Sequence, residues 1–185
     1  MRLIIALERG KIMLHKTNLE SLPHDYSVLL NVNPSSEFEM YKIFESIKNP
    51  SVLVSLVRPA SNIRDILKRH KIRPRDIHII DAISHEINAE KIENATYLHS
   101  SRNLSDLSVA IDNQLRSSSA EKKTLVFDSI AKLSQFHDAD ALVGFVKFLN
   151  ARLKDCNAQG IFISSGKINH INNKVMHLMD KVYNF

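Results

Sequence analysis

Asp128 and Ser129 close the most apolar stretch of the chain, Thr124-Leu125-Val126-Phe127. A run continuous in apolar residues reads as a strand buried on both faces, and its carboxyl end is where open α/β sheets bind ligands. A carboxylate there has two possible uses. It can hold a magnesium ion or a ligand, or it can satisfy backbone groups at the strand end. A second group of residues is cationic. Arg58, Arg64, Lys68, Arg69, Lys71, Arg73 and Arg75 crowd one stretch, with Asp65 as the one acid among them. Arg64, Lys68, Lys71 and Arg75 are spaced 4, 3 and 4, one face of a helix that runs so far, although Pro74 opposes the last turn. Such a face can bind nucleic-acid phosphates or an acidic partner, or simply be solvated. No aromatic residue lies near for base stacking, which weakens the nucleic-acid reading.

The other reactive residue types form weaker patterns. Cys156 is the one cysteine, so there is no intramolecular disulfide and no cysteine-based zinc site; beside Leu149 and Leu153 it reads as a structural thiol. The nine histidines are scattered without metal-ligand spacing. Asp138 and Asp140, after His137, are better used as a helix cap and a first-turn carboxylate than as metal ligands. No metal site is expected. Ser164-Ser165-Gly166-Lys167 follows a strand but is too short to cradle phosphates as it stands.

Short β-branched runs alternating with longer helical patterns must position these groups, and that alternation points to parallel βαβ units. Strands are expected at Tyr26–Val32, Ser51–Val57, Asp76–Ile83, Ala95–His99, Thr124–Ile130, Ile161–Ser164 and Lys181–Phe185. Helices are expected between them. The first is capped by Ser35 or Ser36 and ended by Pro50, and the second is capped by Ser61. The third starts at Asn103 or Ser105, the fourth is capped by Asp138, and a last one covers Asn172–Met179. Residues 1–21 suggest a hairpin about Glu8-Arg9-Gly10-Lys11, or a short helix and a strand. One domain over 1–185 is the economical division.

Val54-Ser55-Leu56, Ile79-Ile80-Asp81-Ala82 and Thr124 through Asp128-Ser129-Ile130, in that order, resemble the RecA superfamily, and within it the KaiC-like branch found widely in archaea. The helix carrying Phe145, Phe148 and Leu149 and the closing Met179-Asp180-Lys181-Val182 fit the same resemblance, which spans roughly 22–185. It implies a three-layer α/β domain with a mostly parallel central sheet flanked by helices. It also implies a phosphate-binding loop after the first core strand, where this chain reads Asn31-Val32-Asn33-Pro34-Ser35-Ser36-Glu37. Such a loop needs glycines to let backbone N–H groups curl around phosphates, and a lysine to reach them. Neither is present: the four glycines are Gly10, Gly144, Gly160 and Gly166. Glu37 and Glu39 further oppose an anion at the helix start. The branch's acidic residues at the end of the second core strand are replaced by Leu56-Val57-Arg58-Pro59.

The expectation is therefore a non-hydrolysing RecA/KaiC-like domain without a cofactor. It would act as a regulatory or protein-interaction module, in a branch the resemblance connects with archaeal signalling. RecA-like domains assemble side by side, so the resemblance implies a homo-oligomer or a protein partner. A nucleotide held at a remnant site by Asn33, Pro34, Ser35, Ser36, Asp128 and Ser129 is the second reading. Nucleic acid on the basic face is the third. The net charge of +5 is only mildly basic. An apolar share of 44% with 24% charged residues belongs to an ordinary globular chain, no apolar run spans a membrane, and a cytoplasmic location is expected.

Overall fold

The computed structural model describes residues 5–8, 11–14, 25–32, 41–47, 49–73, 76–165 and 174–184. The expected remnant-site residues Asn33, Pro34, Ser35 and Ser36, together with Arg75, Gly166 and Lys167, lie outside them. At the amino-terminal end β1 (Ile5–Glu8) and β2 (Lys11–Leu14) pair antiparallel as a sheet of two. The seven strands of the main sheet are β3 (Ser27–Val32), β4 (Ser51–Ser55), β5 (Ile77–Asp81), β6 (Ala95–Tyr97), β7 (Lys123–Asp128), β8 (Ala158–Ser165) and β9 (Lys181–Asn184). Their spatial order is β6-β5-β4-β7-β8-β3-β9, and every pairing is parallel. Both faces of such a sheet must be covered, and the near-continuous Val, Leu, Ile and Phe of β3, β4, β7 and β8 follow from that.

The helices bounded within the described residues are α1 (Tyr41–Ser46), α2 (Ala60–Arg69), α3 (Ser84–Ile87), α4 (Leu104–Ser117), α5 (Ile130–Leu133) and α6 (Ala139–Asp155), and residues 174–176, inside the expected last helix, are helical too. Strand side chains alternate between the two faces, and the core divides accordingly. Leu29, Val54, Leu125, Phe127 and Phe162 pack with Leu107 and Ile111 of α4, Leu133 of α5 and Phe145, Val146 and Leu149 of α6. Val28, Leu30, Leu53, Val126 and Ile161 pack on the other side with Ile43 and Phe44 of α1 and Ile63 and Leu67 of α2. The result is an α/β domain of three layers. Asp180, ahead of β9, clamps the start of β3: its carboxylate accepts from the Ser27 amide at 2.7 Å and from its hydroxyl at 2.9 Å.

Local chemistry explains most boundaries. Asn103 caps α4 by accepting from the amides of Ser105 and Asp106, and Asp138 caps α6 through the Ala141 amide at 2.8 Å. The expected Ser61 cap does not form. The second helix begins at Ala60, and its first amide donates at 2.6 Å to the carboxylate of Asp81, twenty-one residues away in the chain. A buried tertiary acceptor has replaced the local one.

The same helix stops at Arg69. The Ile72 amide returns to the Leu67 carbonyl at 2.9 Å while Lys71 takes a left-handed φ of 58°, the geometry of a Schellman cap. The expected cationic helix face is therefore cut short. Arg64 and Lys68 share it, whereas Lys71 and Arg73 stand beyond the helix end. Gly160, expected just before a strand, lies inside β8. A Cβ there would sit 2.5 Å from Leu153 of α6, so the absent side chain permits close helix–sheet packing.

Candidate functional site at the carboxyl edge of the sheet

At the carboxyl edge, β4 and β7 lie side by side with Ser55 opposite Asp128. The chain leaves β4 for α2 on one face and leaves β7 for α5 and α6 on the other. Connections diverging to opposite faces open a crevice between neighbouring strand ends, the usual ligand position in open parallel sheets. The turn after β4 is tightly held. Ser55 Oγ donates to the Arg58 carbonyl at 2.7 Å and accepts from its amide at 3.2 Å, while the Leu56 amide donates to the Asp128 carbonyl at 2.7 Å. These bonds fix the backbone of Arg58 at the end of β4, near enough for its positive charge to act on Asp128.

Asp128 is 8% exposed, and its carboxylate makes no hydrogen bond among the described residues. Burial pushes its pKa up from the ordinary value, and the positive charge of Arg58 pulls it part of the way back. The Asp128–Ser129 peptide is cis. Ser129 turns towards β8, where its Oγ accepts from the Ser165 amide at 3.3 Å and lies 3.4 Å from the Ser165 hydroxyl. Thus the structure gathers Asp128, Ser129 and Arg58 at one edge of the sheet. It spreads Arg64, Lys68 and Arg69 along α2, and puts Lys71 and Arg73 at the far end of that helix.

Sequence reasoning passed over the aspartate that ends β5. Asp81 is completely buried. Its carboxylate accepts from the Ala60 amide, from the amides of Ile83 and Ser84 at 2.9 and 2.8 Å, and from the Ser84 hydroxyl. It joins the start of α2 to the turn that begins α3. An aspartate bonded to amides two and three residues ahead is a local turn signal, legible in Asp81-Ala82-Ile83-Ser84. Phe136 was also passed over. Arg102 and Lys132 lie 4.5 and 5.6 Å from its ring centroid, so an aromatic–cationic contact forms outside the 58–75 stretch. The His137, Asp138 and Asp140 group divides its work: Asp138 caps α6, and Asp140 pairs with Lys174 at 3.0 Å. Among the described residues no group of three or more His, Cys, Asp or Glu could hold a metal, and no helix is long and apolar enough to cross a membrane.

No protein-family model matches the chain, and no curated protein matches it. Solved structures do. An uncharacterised protein from Pyrococcus horikoshii, solved in complex with an unknown peptide, superposes with a TM-score of 0.66 at 12% identity over 88% of this chain and 78% of its own. A KaiC-like protein from the hyperthermophilic archaeon Pyrococcus horikoshii OT3 superposes with a TM-score of 0.59 at 15% identity over 88% of this chain and 74% of its own. The chain has the RecA/KaiC-like α/β fold. At these identities the likeness is one of fold alone.

Proposed function

We propose that this protein is a non-hydrolysing RecA/KaiC-like domain, a regulatory or protein-interaction module with no resident nucleotide. The observation that carries this reading is the positive charge of Arg58, whose backbone Ser55 anchors at the end of β4, acting on the buried Asp128. Magnesium asks for an octahedron of oxygens, usually carboxylate, phosphate and water. The described residues at this edge offer one unengaged carboxylate, Asp128, under the influence of the positive charge of Arg58; Asp81 is taken up by its own donors, and the hydroxyls of Ser55 and Ser129 are already engaged. The donor set fits a metal–nucleotide poorly. The glycine-free, lysine-free segment Asn31–Glu37 supports the same conclusion from the sequence. That a protein of similar fold was solved with a peptide supports the interaction role. Its partner is a second copy of this chain or another protein, and light scattering on the purified protein distinguishes these.

The bare carboxylate of Asp128 favours a second reading, in which a nucleotide is held by Asn33, Ser35, Ser36 and Asp128 without being hydrolysed. Calorimetric and thermal-shift titrations with magnesium-ATP, ADP and cyclic nucleotides decide between the two. A ligand at a hundred times its Kd adds about 2.7 kcal/mol of stability. No shift with any nucleotide is expected. A saturable shift that Asp128→Asn abolishes would replace the first reading with the second.

A further inference from the structure

The opposite edge of the sheet carries a cleft that neither reading uses. Its volume is about 520 Å³, and it opens where β4 and β5 begin, between the ends of α1 and α2. Phe44 and Ile77, both almost fully buried, form its apolar floor. Glu45 of α1 and Asp76 at the entry to β5 supply two carboxylates, and Lys71 and Arg73 from the α2–β5 connection supply two cations. All four are exposed. Among the described residues no ion pair or hydrogen bond joins any of these four charged groups to another. His70, on the same rim, stacks on Tyr41 at 3.4 Å between centroids and stiffens one wall.

We propose that this cleft binds a small zwitterion with an apolar side chain, a compound of the α-amino-acid class. The volume lies within the range of roughly 300–1,000 Å³ typical of small-molecule sites. An apolar floor below a few charged groups is the composition of such sites, the floor supplying affinity and the charges orientation. Both signs of charge are needed to explain the rim. A purely anionic ligand would meet Glu45 and Asp76, and a purely cationic one would meet Lys71 and Arg73. A ligand carrying an ammonium and a carboxylate answers all four. The same mixture argues against this end of α2 as a phosphate-tracking surface, because Glu45 and Asp76 break the single-sign field that Lys71 and Arg73 suggest in the sequence. The cleft is at the edge away from Asp128, so the inference stands or falls independently of nucleotide binding.

The test is an amide chemical-shift titration of the ¹⁵N-labelled protein with L-phenylalanine and L-leucine. Neutral N-acetyl-L-phenylalanine amide is the control. The two zwitterions are expected to move the amides of residues 43–47, 49, 51, 70–73, 76 and 77 saturably below roughly 10 mM, about ten times the Kd of a millimolar site. The neutral control should move them at least about tenfold more weakly. Lys71→Ser and Asp76→Ser, both at exposed positions, should each weaken binding about tenfold while leaving distant amides unmoved. Absence of localised shifts, equal binding of the neutral control, or shifts confined to the carboxyl edge would each overturn the proposal. Affinity unchanged in both variants would do the same.

Discussion

Two parallel strands of this sheet, β5 and β7, end in a buried aspartate, and the two aspartates behave differently. Asp81 receives three amides and a hydroxyl, joining α2 to α3. Asp128 receives no hydrogen bond among the described residues and faces an arginine. The first carboxylate is part of the scaffold, whereas the second is buried without donors, its proton affinity raised by burial and only partly offset by the positive charge of Arg58. Strand-end position alone does not assign a carboxylate its work. The donors that reach it do.

This contrast can be broken from the scaffold side first. Asp81→Ala leaves the amides of Ala60, Ile83 and Ser84 buried without an acceptor, and a loss of about 3 kcal/mol or more is expected. In a chain of this size that lowers Tm by roughly 10 °C. Urea unfolding that shows less than about 1 kcal/mol of loss would mean water replaces the carboxylate. Ser84→Ala removes one of the four donors and should cost about 1 kcal/mol by the same measurement.

Asp128→Asn should act in the opposite direction and stabilise the protein at neutral pH by about 1 kcal/mol, since it removes a poorly solvated charge. The pH dependence follows from the raised pKa of Asp128. The folded state holds this proton more tightly than the unfolded state does. Its contribution to stability is therefore complete below the ordinary value of 3.8 and is lost as the pH rises through the raised value. The advantage of the asparagine variant should accordingly vanish in acid and appear towards neutrality, as urea titrations at several pH values would show. Smallest of all, Arg58→Ser should cost about 0.5 kcal/mol, since Arg58 is solvent-exposed and its attraction is screened. That cost should disappear in the Asp128→Asn background.

Much of the scaffold was legible because its signals are local. The apolar run through Phe127, the caps Asn103 and Asp138, and the break at Pro50 each act within a few residues of themselves. The misplaced features depend on distant partners. Ala60 rather than Ser61 begins α2 because Asp81 reaches its amide, and Gly160 lies within β8 where Leu153, seven residues back on α6, leaves no room for a Cβ. α3 and α5 are single turns too short to show a periodicity of their own. At the carboxyl edge, Asp128 and Ser129 could be read from strand pattern, but the proximity of Arg58 could not, since it depends on two adjacent strand ends coming into register. The amino-edge cleft was hidden for the same reason: Glu45 is far along the chain from Lys71 and Arg73.

The left-handed lysine that closes α2 sets conformational ease against recognition. Glycine adopts that φ without steric penalty, and a side-chain-bearing residue there is disfavoured by roughly 1 kcal/mol. A thermostabilising redesign guided by backbone geometry would choose Lys71→Gly and obtain a sturdier protein. The same exchange would erase a cation from the rim of the amino-edge cleft, so a more heat-resistant variant would also be one less able to discriminate among small charged solutes.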